Sequence, residues 1–363
     1  MSARRFLGFL STLDPLTIAW FSRMSGSYPY ALKAIFDTNF FKYQETIGGT
    51  VYKVKDIIAK ADVMYFPCVS GDADSWKNIV KNAHHGTIQG TGLVYDPLWG
   101  WNGGGTGWVD TNYNPATQAV KLSLNDIGIG VNVINRGNTG FSIMGGEVIG
   151  GNRLGIMYNL TTIMRAWLAN ASVSALDASN FPFVHGFHLA RRTASNATAY
   201  LNQNISNSTG SAASVGLPSK NIGLFTSNGS GYYWNGGLNC VFIGASLSDN
   251  EYQCLNHAVN QTLIQLLFYK YGSDNWGAKM AKSYFFDLHG FEPYEAWEVY
   301  EFIKRCQSDY IGFTPVNLVP AASSSFETDG TAWWGVIRGI KQYNASTQDM
   351  TVIGNGTVPS ASL

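Results

Sequence analysis

Apolar and polar residues alternate along most of the middle of this chain. Val109, Val120, Leu122, Leu124, Ile127, Ile129, Val131 and Val133 are separated by small or polar residues, the period-two pattern of half-buried strands. Ile156, Tyr158 and Leu160 repeat it, as do Met164, Ala166 and Leu168. Gly, Asn, Ser and Thr cluster between these runs, where turns are needed. Residues 65–245 therefore read as a many-stranded β-domain whose strands pair non-locally in two sheets. The pattern changes after Gly244-Ala245. Ser248-Asp249-Asn250-Glu251 is a capping box, in which the Ser and Glu side chains each satisfy a free backbone donor. Tyr252, Leu255, Val259, Leu263 and Leu266 follow at helical spacing and predict a closing helix over 248–267.

The flanks differ from this middle. Residues 1–27 are apolar and aromatic (Phe6, Phe9, Trp20, Phe21) and read as an arm that must cover itself on its own domain or on a neighbouring subunit. Helical patterns follow from Tyr30 to Phe41 and, after Gly48-Gly49, from Val54 to Ala61. Near the other end, Phe291-Glu292-Pro293 starts a helix with acids early and Lys304 and Arg305 late, matching the helix dipole. Trp297, Tyr300 and Ile303 give it an apolar stripe. A strand-like Trp333-Trp334-Gly335-Val336-Ile337 and a Ser/Thr/Gly-rich tail complete the chain. The division expected is 1–64 as arm and helical preamble used for attachment, 65–270 as sandwich with closing helix, and 271–363 as an assembly module.

Composition narrows the function. The chain has 363 residues, 40 of them Gly, with 14% aromatic and 13% charged residues and no formal net charge. That charge gives no electrostatic footprint for nucleic acid, and no Lys/Arg run exceeds two residues. No segment is apolar for long enough to span a membrane. Arg4-Arg5 has the form of a twin-arginine start, but Asp14-Pro15 interrupts any apolar run, so no export signal is expected. Cys68, Cys240, Cys254 and Cys306 lack metal spacing. Cys240 and Cys254 read as small buried hydrophobes, consistent with a reducing compartment.

Several segments in order resemble one family. Tyr65-Phe66-Pro67 fits a "Y-P-F" that precedes the sandwich. Gly105-Thr106-Gly107-Trp108-Val109-Asp110-Thr111-Asn112-Tyr113-Asn114-Pro115 fits "G-x-G-Y-x-D-T-x-x-N-P". Asn125-Asp126-Ile127-Gly128-Ile129-Gly130-Val131 fits a further strand. Arg192-Thr193-Ala194-Ser195 fits "R-T-A-S", and Tyr200-Leu201-Asn202-Gln203 the hairpin "Y-x-N-G" after it. Phe242 to Glu251 fits "F-A-S-I-G-x-x-L-T-D-x-E". Together, over residues 28–270, they resemble the laminin-G-like, concanavalin A-like sandwich domains of bacteriophage virion and tail proteins, especially those of Bacteroidetes phages. The resemblance implies a mainly β, jelly-roll two-sheet sandwich with short flanking helices. It implies a non-enzymatic virion protein, a tail appendage or a capsid-decorating head-fibre protein assembled in the bacterial cytoplasm. Its expected partners are other virion proteins, further copies of itself (a trimer by analogy with phage appendages) and cell-surface glycans. A polysaccharide depolymerase and a purely structural connector are the alternatives.

Candidate chemistry is sparse. Glycan-cleaving sandwiches place carboxylates along one strand as E-x-D-x-x-E, and no strand-like segment here carries that triplet. Asp72-Ala73-Asp74 reads as a solvated turn, with calcium as the alternative; no other metal or cofactor is expected. His185 and His188 lack a third ligand to close a site, and His84-His85 reads as exposed. Trp99, Trp101, Asn102 and Trp108 surround one Gly-rich turn, and Tyr232, Tyr233, Trp234 and Asn235 sit in another. Aromatic rings stack on sugar C–H faces and amides bond hydroxyls, so these eight residues are the candidate glycan face. The other reading puts them in the core or at a subunit interface.

Overall fold

The computed structural model of the protein describes residues 13–272, apart from 136, 139–140, 148–151, 161–162, 172–175, 180–184, 203–204 and 228–232, together with 278, 281–282 and 296–309. The chain forms two units, Met1–Lys270 and Tyr271–Leu363.

The first unit opens with two short helices. Helix α1 (Pro15–Phe21) starts where Asp14 accepts from the Leu16 N–H and Pro15 supplies a preset first turn. Helix α2 (Tyr30–Phe36) runs into a π turn, Asp37–Phe41. Trp20 is buried edge-on against Phe36, with ring centroids 5.0 Å apart, and Phe40 and Phe41 are buried with them. Residues 13–27 of the expected arm are thus packed on their own unit; residues 1–12 lie outside the described residues. Strands β1 (Gln44–Ile47) and β2 (Thr50–Lys53) then form a hairpin. Its turn is Gly48-Gly49, at φ +58° and +83°, the left-handed region glycine tolerates. Helix α3 (Val54–Ile58) leads into the sandwich.

The sandwich strands are β3 (Ala61–Tyr65), β4 (Thr87–Gln89), β5 (Val94–Asp96), β6 (Gly100–Asn102), β7 (Trp108–Asp110), β8 (Ile127–Asn135), β9 (Phe141–Glu147), β10 (Asn152–Leu160), β11 (Ile163–Ala171), β12 (Leu176–Ser179), β13 (Gly186–Ala194), β14 (Ala197–Asn202), β15 (Ile205–Gly210), β16 (Gly223–Leu224) and β17 (Gly237–Gly244). One sheet runs β12-β11-β10-β9-β16-β7-β4. The other runs β15-β14-β13-β8-β17-β6-β5, with β3 pairing β17 further along the edge that β6 occupies. Every pairing between these strands is antiparallel. The expected mainly β, two-sheet sandwich is the fold observed. Residue 64, where a boundary was expected, lies inside β3.

Inward side chains of both sheets, among them Val109, Ile129, Val131, Val133, Ile156, Tyr158, Met164, Ala166 and Val241, make one core. Arg192 ties the sheets together across that core. Its buried guanidinium donates from β13 to Leu168 O (2.7 Å) and Asn170 Oδ1 (3.1 Å) on β11, and to Ser195 O and Ala212 O. Cys68, Cys240 and Cys254 are buried free thiols, and burial pushes the Cys254 thiol up to about 12.

One expected strand is absent. Val120, Leu122 and Leu124 lie in a loop, with Val120 74% exposed. The buried Asp62 carboxylate gathers the N–H groups of Val120, Lys121 and Leu122 at 2.9–3.2 Å, so those donors face a side chain instead of a strand.

Helix α4 (Pro115–Gln118) is capped by Asn114. Helix α5 (Asp249–Tyr271) is the predicted closing helix, four residues longer than expected at its end. It crosses the outer face of the eight-stranded sheet. The Tyr252 hydroxyl donates to Phe187 O on β13, and Lys270 pairs with Asp96 on β5. In the second unit, α6 (Ala296–Asp309) carries buried Tyr300 and Ile303, with the Lys304 ammonium 4.8 Å from the Tyr300 ring centre. The predicted start of this helix at Phe291 and the Trp333-Trp334 segment lie outside the described residues.

Candidate functional site

The expected aromatic face is mostly interior. Trp99, Trp101 and Trp234 are 2%, 3% and 0% exposed. Trp234 stacks on Phe225, with centroids 6.1 Å apart, and Trp101 donates its Nε1–H to Ser75 Oγ at 3.0 Å. Trp108 is half-buried and packs against the core. The rings of Trp99, Trp101 and Trp234 are therefore not offered to a ligand by this chain. The physical reason is their apolar area, which stabilises most when buried. The neighbouring glycines make room for the Trp234 ring: a Cβ at Gly236 would sit 2.0 Å from its Cζ2, and one at Gly137 2.2 Å from its Nε1.

The remaining members hold loops. Asn102 Oδ1 accepts from Asn135 Nδ2 (3.2 Å), and Asn235 exchanges hydrogen bonds with the backbone and side chain of Asn138 (2.7 and 3.1 Å). Tyr233 is half-buried; Tyr232 lies outside the described residues.

The Asp72–Asp74 turn is also structural. Asp74 is buried and accepts from Ser25 N (2.6 Å), Ser25 Oγ (2.6 Å) and Gly26 N (2.9 Å), while Asp72 accepts from Asp74 N. Burial alone would raise the Asp74 pKa. The hydrogen bonds from Ser25 and Gly26 and the charge of Lys77 outweigh it and hold the carboxyl below its ordinary range. This carboxylate fastens the segment after α1 to the sandwich. His188 is buried against Asn202, and His84 and His85 are half-buried, with His85 Nδ1 accepting from Asn78 N at 3.1 Å. Among the described residues no three His, Cys, Asp or Glu side chains are placed to hold a metal ion. No helix among them is long and apolar enough to cross a membrane.

The described surface does carry an open cleft of ≈ 630 Å³ at the head of α5, where that helix meets β13, β2 and the turn before β3. Its frame follows from the capping box. Glu251 Oε2 accepts from Ser248 N (2.8 Å), and Ser248 Oγ accepts from Glu251 N (3.2 Å). Lys60 pairs with Glu251 (2.7 Å), and Arg191 pairs with Asp249 (2.7 Å) while donating to Leu247 O (2.7 Å). Asn250 Nδ2 donates to the Tyr52 hydroxyl at 3.1 Å. Thr193 and Ser246 add hydroxyls to the lining. Sequence reasoning named Thr193 and the 248–251 box as motif residues but did not join them, and it passed over Tyr52, Lys60 and Arg191. Their separation in sequence hides the contact; the one available signal was that two segments of the same family pattern both reach the cleft, at Thr193 and at Glu251.

No protein-family model and no curated protein matches the chain. Solved structures do. Domain 4 of AbnA, a GH43 extracellular arabinanase from Geobacillus stearothermophilus, in complex with arabinotriose, is similar over 54% of this chain and 98% of its own, at 12% identity and TM-score 0.40. A botulinum neurotoxin type C structure, described by cell entry dependent on two ganglioside molecules, matches 57% of this chain at 13% identity and TM-score 0.43; the match spans about half, 53%, of the toxin chain. The exoplasmic/lumenal domain of VIP36, in its Ca2+/Man-bound form, matches 48% of this chain and 88% of its own, at 10% identity and TM-score 0.31.

Proposed function

We propose that this protein is a non-enzymatic structural component of a bacteriophage particle, a tail appendage or capsid-decorating protein, whose sandwich meets glycans of the host surface or of mucus. One observation carries the reading. The segments that resemble the phage family in order are the framework of a single sandwich. Tyr65 ends β3, Gly105–Pro115 holds β7 and the Asn114 cap, Asn125–Val131 opens β8, Arg192 bridges the sheets, and Phe242–Glu251 joins β17 to the closing helix.

The neutral charge and high aromatic content suit packing among other proteins, and we propose a homo-oligomer, a trimer on the phage analogy, within the particle. The absence of an E-x-D-x-x-E triplet from the sequence favours binding over cleavage.

Mass spectrometry of purified particles, with particle imaging after antibody labelling, tests the assignment. Stoichiometric incorporation is expected; absence from particles overturns it. A digest of host polysaccharide by the purified protein is expected to release no products, and release would favour the depolymerase.

A further inference from the structure

We infer that the cleft at the head of α5 is a saccharide site selective for neutral sugars, an inference that rests on the glycan-binding reading above. Three features carry it.

The first is charge. The cleft holds two cations and two carboxylates, and each is already matched: Lys60 with Glu251, Arg191 with Asp249. An anionic ligand would meet a carboxylate beside each cation, and a cationic one would meet an ammonium or guanidinium beside each carboxylate. A neutral polyol breaks neither pair, since each of its hydroxyls both donates and accepts and can bridge the paired groups.

The second is the supply of polar atoms beyond those the frame uses. Glu251 is occupied by the cap and Lys60, but the Asp249 side chain is 60% exposed. Asn250 commits its Nδ2–H to Tyr52, which fixes the amide and leaves its Oδ1 oriented by that bond. Thr193 is exposed on the same outer face of β13 as Arg191. Carboxylate, amide oxygen and hydroxyl side by side form an acceptor-rich edge suited to adjacent sugar hydroxyls.

The third is size and rigidity. A cleft of ≈ 630 Å³ falls within the range of small-ligand sites and accommodates one or two sugar rings. Its walls belong to a sheet strand and a capped helix, so little ordering accompanies binding. An open polar site of this kind gives an affinity on the order of millimolar, raised by several copies on one particle.

Saturation-transfer NMR on the full chain tests this. The probes are neutral gluco-, manno- and galacto-oligosaccharides beside uronic-acid- and sialic-acid-bearing ones. Transfer to a neutral probe is expected, weakened about tenfold by Asn250→Ala and by Thr193→Val, with both variants still folded by circular dichroism. Stronger transfer to acidic probes, undiminished transfer in the variants, or silence with every sugar overturns the site. The two readings separate cleanly. A chain absent from particles yet binding through Asn250 fails only the virion assignment. A particle protein with a silent cleft fails only this inference and supports the structural connector.

Discussion

The hydroxyl of Tyr113 donates a 2.9 Å hydrogen bond to Asp62, 51 residues away, inside the sandwich. Asp62 is 1% exposed, and its other contacts are three successive backbone N–H groups, of Val120, Lys121 and Leu122. One carboxylate thus anchors β3, the α4 cap region and the loop leading to β8. Removing it strands four donors, and stranded buried donors cost more than the net value of the bonds themselves. Asp62→Ala is expected to destabilise the protein by about 3 kcal/mol, and Tyr113→Phe by about 1 kcal/mol. Urea melts of the two variants check this; equal losses would show that the backbone donors find water instead.

Trp234→Ala should act on stability. The ring is fully buried and stacked on Phe225, so its loss leaves a large cavity. A cost of about 3–5 kcal/mol is expected, read as a lowered thermal midpoint. A variant that melts like the parent would return Trp234 to a surface role.

The capping box offers a smaller and cleaner test. Ser248 satisfies the Glu251 N–H at 3.2 Å on an exposed turn. Ser248→Ala should cost about 1 kcal/mol without altering the far-ultraviolet circular dichroism. A neutral result would mean that Lys60 and Glu251 hold the helix start unaided.

Acid should loosen the N-terminal segment. Asp74 has a depressed pKa in the folded protein, so its stabilising contribution is complete above the ordinary carboxylate value of about 4 and is lost as pH falls through the lower folded value. Hydrogen exchange in residues 13–27 is expected to accelerate below about pH 4. Asp74→Asn should show faster exchange already at neutral pH and a flatter acid response. Exchange that ignores both pH and substitution would mean that the aromatic nest around Trp20 holds the segment without the carboxylate.

What the sequence determined by itself was local. Period-two alternation placed β8, β10 and β11, because strand pleating makes every second side chain a neighbour. The Ser248–Glu251 box and the apolar spacing after it placed α5, because capping and helical register involve residues three or four apart. What only the tertiary structure decided was which groups distant in sequence would meet. Val120, Leu122 and Leu124 alternate like a strand, yet Asp62, about 60 residues earlier, takes their donors and leaves a loop. Trp99, Trp101 and Trp234 sit among glycines like loop-tip residues, yet sheet pairing over more than 100 residues closes around them. Arg191 and Asp249 lie far apart in sequence, and the crossing of α5 over β13 alone makes them one wall of a cleft. Alternation and capping are written in neighbouring residues, whereas burial and ion pairing depend on contacts that local sequence does not encode.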